Sequence, residues 1–182
     1  LGPVSNDAVA NEKPDVAVNN LGEIFISYTA MHPLTGQREI VVKKYGYDYG
    51  DLDKIDGPPA PTDLMWVELV NEDVDLFGIN DTSGLSNDLA SSFDSSIAVD
   101  AEGRPIVVWT SNNFEGNMEI YLKRWDGDSW EEVGLGSASD PDTDGLSGVS
   151  NDPGISIQPD VAVASNDDVI VTWVNWSDWQ NY

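Results

Sequence analysis

Ser95-Ser96-Ile97-Ala98-Val99-Asp100-Ala101-Glu102-Gly103-Arg104-Pro105-Ile106-Val107-Val108-Trp109 decides how this chain is read. Apolar residues alternate and then run together from Ile106 to Trp109, while Gly103 and Pro105 punctuate the interval, so two short strands joined by a turn are predicted. The same phrase stands at Pro14-Asp15-Val16-Ala17-Val18 with Ile24-Phe25-Ile26-Ser27-Tyr28, and at Pro159-Asp160-Val161-Ala162-Val163 with Ile170-Val171-Thr172-Trp173. A Ser-Asn-Asp triplet precedes each copy, at Ser5-Asn6-Asp7, Ser86-Asn87-Asp88 and Ser150-Asn151-Asp152. Every landmark moves by 81 residues from the first copy to the second and by 64 from the second to the third. Three landmarks kept in register mark a repeat array.

The middle copy continues through a polar loop from Thr110 to Asn117, a third strand at Glu119-Ile120-Tyr121-Leu122-Lys123-Arg124-Trp125, a turn at Asp126-Gly127 and a fourth strand at Ser129-Trp130-Glu131-Glu132-Val133. In the first copy, Arg38 to Tyr45 matches the third strand and Met65-Trp66-Val67-Glu68-Leu69 the fourth. The third copy stops before its third strand. The predicted fold is all-β: β-propeller-type blades of four antiparallel strands, two complete and one partial, completed by another polypeptide or by identical copies. The units are 1–79, with an inserted hairpin loop at 46–63, then 80–139, then 140–182, which holds an acidic loop and the partial blade. The competing all-β reading, a sandwich, does not explain the fixed offsets.

The middle copy, with Gly116-Asn117-Met118-Glu119-Ile120-Tyr121 and Lys123-Arg124-Trp125-Asp126-Gly127-Asp128-Ser129-Trp130, resembles the blades of sialidase-like, Asp-box-type β-propellers of exported bacterial and archaeal proteins. The turn from Asp126 to Trp130 is similar to a shortened Asp-box hairpin, whose role in that family is structural. Sialidase chemistry in the family implies an arginine cluster with a Tyr-Glu pair and an acidic proton donor. Arg38, Arg104 and Arg124 are the only arginines here, and the family's arginine-containing motif is missing. The resemblance therefore implies the scaffold rather than the enzyme.

With 33 acidic and 8 basic residues the formal net charge is −25, which repels phosphates and anionic surfaces and argues against nucleic acid partners. No run of about 18 apolar residues exists, so no membrane insertion is predicted. With no Cys, disulfide and thiolate chemistry are excluded, and with His32 as the only histidine so are zinc clusters that need several.

Asp140-Pro141-Asp142-Thr143-Asp144-Gly145 places carboxylates at alternate positions before a glycine, the donor spacing a hard cation needs. Calcium is the cofactor this predicts, held by Asp140, Asp142 and Asp144 with Asn151 and Asp152 further on. An ordinary Asx-turn-rich linker has the same composition. Trp176, Asp178, Trp179 and Tyr182 group aromatic faces with a carboxylate, a pattern that stacks on and hydrogen-bonds to glycans, or alternatively packs against a neighbouring blade. Asn80 and Asn175 begin Asn-glycosylation patterns and point weakly to an extracellular or cell-surface location.

The first functional expectation is a non-enzymatic, calcium-stabilised propeller segment acting in adhesion, assembly or ligand binding. The alternatives are a carbohydrate-active enzyme or lectin, and a filament or sheath subunit that completes its sheet with neighbours. Convergence of polar residues from three blades on the axis, with an arginine cluster among them, separates the enzyme from the other readings.

Overall fold

The structure, a computed structural model, describes residues 4, 11–31, 36–47, 64–70, 85–86, 91–112, 117–134, 136–138, 148–151 and 154–176. Ten strands follow one another: β1 (Asn11–Val18), β2 (Ile24–Met31), β3 (Arg38–Tyr47), β4 (Leu64–Glu68), β5 (Ser92–Val99), β6 (Pro105–Asn112), β7 (Met118–Trp125), β8 (Trp130–Glu132), β9 (Ile155–Val163) and β10 (Val169–Trp176). They form two four-stranded sheets, ordered β1-β2-β3-β4 and β5-β6-β7-β8, and a two-stranded sheet of β9 and β10. All pairings are antiparallel. Among the described residues there is no helix. These are propeller-type blades in an array that is not closed, here called blades 1, 2 and 3.

The sheets stack face to face, with β1, β5 and β9 as the innermost strands and β5 touching both of the others. One apolar layer lies between blades 1 and 2, where Phe25, Ile40 and Val42 meet Ile97, Val107, Trp109 and Trp130. A second lies between blades 2 and 3, where Ile106, Val108, Ile120 and Leu122 meet Val161. Strand β6 therefore feeds both layers. Its alternate residues face opposite ways, and Ile106, Val107 and Val108 are each 0% exposed. That two-sided burial explains why Ile106 to Trp109 reads as a continuous apolar run. Each such side chain contributes roughly 1.5–3 kcal/mol of burial free energy.

Segments that approach each blade tie it to the one before. Ser86 Oγ accepts from Ile40 N at 3.0 Å, and Leu85 N donates to Ile40 O at 2.7 Å. One repeat later Ser150 Oγ accepts from Ile120 N at 2.9 Å, and Val149 N donates to Ile120 O at 2.6 Å. The serine of the Ser-Asn-Asp triplet thus caps a backbone N–H of the third strand of the preceding blade. Ser150 also donates to the buried carboxylate of Glu119, which Asn117 Nδ2 reaches from the other side at 2.8 Å.

The turn at Asp126 is a side-chain-locked hairpin. Asp126 Oδ1 accepts from Asp128 N at 2.8 Å and Ser129 N at 2.7 Å, and Gly127 supplies a φ of 121°. The hairpin delivers Trp130, whose ring lies 5.4 Å from that of Trp125 and whose Nε1 donates to Leu69 O of blade 1 at 2.9 Å. Trp109 and Trp130 are core residues, whereas Trp173, at the position of Trp109, is 37% exposed although it lies with Val169 and Val171 on the side of β10 toward blade 2.

Gly148 sits at φ 68°, and a Cβ there would collide with the carbonyl oxygen of Ile120. Gly22 has a similar φ of 79° and open space around it. Gly148→Ala is expected to cost about 1–3 kcal/mol in urea unfolding, and distinctly more than Gly22→Ala. Equal costs at the two positions would refute the strut geometry.

Candidate functional site

Each innermost strand carries an irregularity at the same repeat position. Register shifts fall between Glu12 and Asp15, between Phe93 and Ser96, and opposite the step from Thr172 to Val174, which skips Gln158 and Pro159. The bulged residue is left-handed in all three: Lys13 at φ 48°, Asp94 at 57° and Gln158 at 55°. Non-glycine residues at positive φ cost about 1–3 kcal/mol each, so three at equivalent positions form a device kept by the repeat.

The bulge brings the next repeat position, Asp15, Ser96 and Asp160, to a common point. Ser96 Oγ lies 3.1 Å from Asp15 Oδ2 across 81 residues and 3.0 Å from Asp160 Oδ1 across 64. Asp15 Oδ2 also accepts from Ile97 N at 3.0 Å, and each aspartate accepts from the N–H that follows it, Val16 at 2.9 Å and Val161 at 3.0 Å. A hydroxyl has one hydrogen, so Ser96 donates to one carboxylate at a time. Beside this group Lys13 Nζ pairs with Asp94 Oδ1 at 2.5 Å, linking the bulges of blades 1 and 2. Trp176, 50% exposed, ends β10 opposite Ile155, at the end of blade 3 where its inner strand begins.

The opposite end of the inner strands carries a second cluster. Asp100, Glu102 and Asp167 bring carboxylate oxygens within 4.8 Å of one another. Arg104 already pairs with two of them: its Nη2 reaches Asp100 at 2.7 Å and Glu102 at 3.1 Å, and Arg124 Nη1 lies 3.8 Å from Asp100. The hydrogen bond to buried Asp100 raises the Arg104 pKa, opposed by desolvation. Asp167 Oδ1 accepts from Ala101 N at 3.1 Å, and Asn19 Nδ2 donates to Gly103 O at 3.2 Å, so the turns of adjacent blades are strutted together. This cluster is an ion-pair network that joins blades.

Of the residues singled out in the sequence, Asp140, Asp142, Asp144, Asp152, Asp178, Trp179, Tyr182, Asn80 and His32 lie outside the described residues. Asn151 is exposed at φ 36°. Trp176 lies in strand β10, and Asn175 Nδ2 donates to Ser156 Oγ at 3.2 Å. Arg104 and Arg124 share Asp100, while Arg38 stands apart, 3.6 Å from Glu12. Nothing in the sequence marks the axial group as a site beyond the fact that Asp15, Ser96 and Asp160 occupy one repeat position.

No family model and no curated protein matches the chain. Among solved structures it is similar to a thermostable family-43 glycoside hydrolase, at 16% identity and a TM-score of 0.46, over 96% of this chain and 52% of the hydrolase. It is also similar to a fucose lectin from Kordia zhangzhouensis in complex with methyl-fucoside, at 10% identity and a TM-score of 0.43, over 91% of this chain and 99% of the lectin. The chain spans about half the length of the hydrolase. The expectation that the chain is not an enzyme is corrected: a glycoside hydrolase stands among the similar structures.

In the turn before β2, Glu23 is held below its usual range by the hydrogen bond from Lys44, at 2.5 Å, with a further one from Asn19 at 2.6 Å and burial opposing them. A carboxylate with a depressed folded pKa stabilises fully above its unfolded pKa, and the contribution vanishes as pH falls through the folded one. Glu23→Gln is therefore expected to destabilise at pH 7, with the gap to wild type closing below the model-compound value of 4.5. Denaturant midpoints measured across that range check it, and a gap independent of pH would contradict it.

Proposed function

We propose that this chain is a carbohydrate-binding β-propeller segment of an extracellular or cell-surface protein, with its binding site at the axis. The observation carrying this reading is the convergence of Asp15, Ser96 and Asp160 from three repeats, with Asp160 exposed to solvent. Carboxylates accept hydrogen bonds from sugar hydroxyls, and a serine both donates and accepts. No arginine joins the axial group among the described residues, and the chain is strongly acidic. A neutral sugar fits this chemistry, and an acidic one such as a sialoside does not.

A second reading, glycoside cleavage, is favoured by the same pair: two carboxyl groups share one hydroxyl neighbour, an arrangement in which one group serves as acid and the other as base or nucleophile. The locked Asp126 hairpin supports the likeness to Asp-box blades, in a structural role only. The acidic loop of Asp140, Asp142 and Asp144, with Asn151 and Asp152, is proposed as a calcium-held connection between blades 2 and 3, on the strength of its donor spacing.

A glycan array followed by titration of the retained sugars tests the axial site. Asp160→Asn keeps an acceptor for Val161 N and Ser96 and should unfold like wild type. It is expected to weaken a neutral glycan by about tenfold, ~1.4 kcal/mol, through loss of a charged acceptor. Assay of the same glycans for released reducing sugar separates cleavage from binding. Retention of no neutral glycan, or wild-type affinity in the variant, would sink the proposal.

A further inference from the structure

Equivalent side chains are buried or exposed according to whether a blade stands beside them. Ile97 is 6% exposed because it packs on blade 1, and Val161 is 7% exposed because it packs on blade 2. Val16, at the same repeat position in β1, is 57% exposed, and Val18 is 56% exposed. The other end of the array shows the reverse half of the contact. Ile106 is 0% exposed where blade 2 receives β9, while its counterpart Ile170 is 52% exposed, with Val174 at 42% on the same face. One open end is thus the inserting half of the internal interface and the other is the receiving half.

We infer that these two open faces are complementary and that a second copy of this chain docks head to tail across them, blade 1 of one copy on blade 3 of the next. The contact continues an interface already formed twice inside the chain: Val16 stands at the position of Ile97 and Val161, and Ile170 at the position of Phe25 and Ile106.

Charge favours the same pairing. Lys43 alternates with Val42, which faces blade 2, so it lies on the open side of blade 1, whereas Lys13 pairs with Asp94 and Lys44 with Glu23. After Arg124 the chain has no Lys or Arg, and blade 3 carries Asp160, Asp167 and Asp168. Lys43 on the open face of blade 1 would meet an acidic blade, whereas blade 3 against blade 3 would set carboxylates against carboxylates. The open side of blade 1 also holds a recess of about 280 Å³ lined by Pro14, Ile26 and Tyr28, large enough for a side chain from the arriving copy. A head-to-tail contact of this kind closes into a ring or continues as an open array.

Native mass spectrometry and light scattering on wild type, Val16→Asp and Ile170→Asp test the inference. Both sites are exposed, so the variants should unfold like wild type, and Val18→Asp with Val174→Asp forms an independent pair. Wild type is expected to assemble into two or more copies. Either variant alone lacks one half of every contact and is expected at the single-chain mass of 19.8 kDa. An equimolar mixture of Val16→Asp and Ile170→Asp retains one intact face of each kind and is expected to give a one-to-one pair and nothing larger. Wild type found as a single chain, single variants that still assemble, or a mixture that fails to pair would each overturn it.

Discussion

Among the described residues the inner strand of every blade pairs with one strand only, so its other edge is left to meet the neighbouring blades. A buried or crowded donor without an acceptor is costly, about 1–3 kcal/mol, and three such strands approach one another here. The chain meets this constraint with a bulge and a polar residue. Val16 and Val161 are capped by the aspartates that precede them. Ile97, preceded by Ser96 instead, is capped by Asp15 of the neighbouring blade. Serine in the middle copy keeps a third carboxylate out of the cluster and places a hydroxyl between the other two. The blades are thereby joined at their inner edges by hydrogen bonds as well as by the apolar layers between their faces.

That edge chemistry ties fold to function. The bulge which caps the strand is also what turns Asp15, Ser96 and Asp160 toward one another, and the left-handed Lys13, Asp94 and Gln158 store its strain. Strain kept at one position through three repeats is consistent with a site, because a strand without the bulge would send those side chains into the inter-blade layers. The far end, by contrast, has its charges consumed. Arg104 and Arg124 neutralise Asp100, so the turn end serves to hold blades together.

Much of this architecture is legible in the sequence, and the reasons for success and failure are physical. Alternation and turn residues mark the strands because each blade face must be apolar, and the run from Ile106 to Trp109 marks a strand buried on both sides. The bulge is not legible, since Lys13, Asp94 and Gln158 are none of them glycine and nothing local announces a positive φ. The role of the Ser-Asn-Asp triplet is hidden for a related reason: Ser86 and Ser150 act on strands 46 and 30 residues earlier. Trp176 stands between the polar Asn175 and Ser177 in the sequence, yet it pairs with Ile155 at the end of β10. The axial group was written in the constant offset of Asp15, Ser96 and Asp160, but register alone does not say which side of a strand a residue faces.

The central claim is that three repeat positions far apart in sequence meet at one axis. A double-mutant cycle on stability between Asp15→Ala and Ser96→Ala measures it most directly. The account requires a coupling of roughly 0.5–3 kcal/mol, because the two side chains share a hydrogen bond and the Ile97 N–H beside it. Effects that add to within about 0.3 kcal/mol would mean that the repeats do not meet there, and the axial site would fall with them.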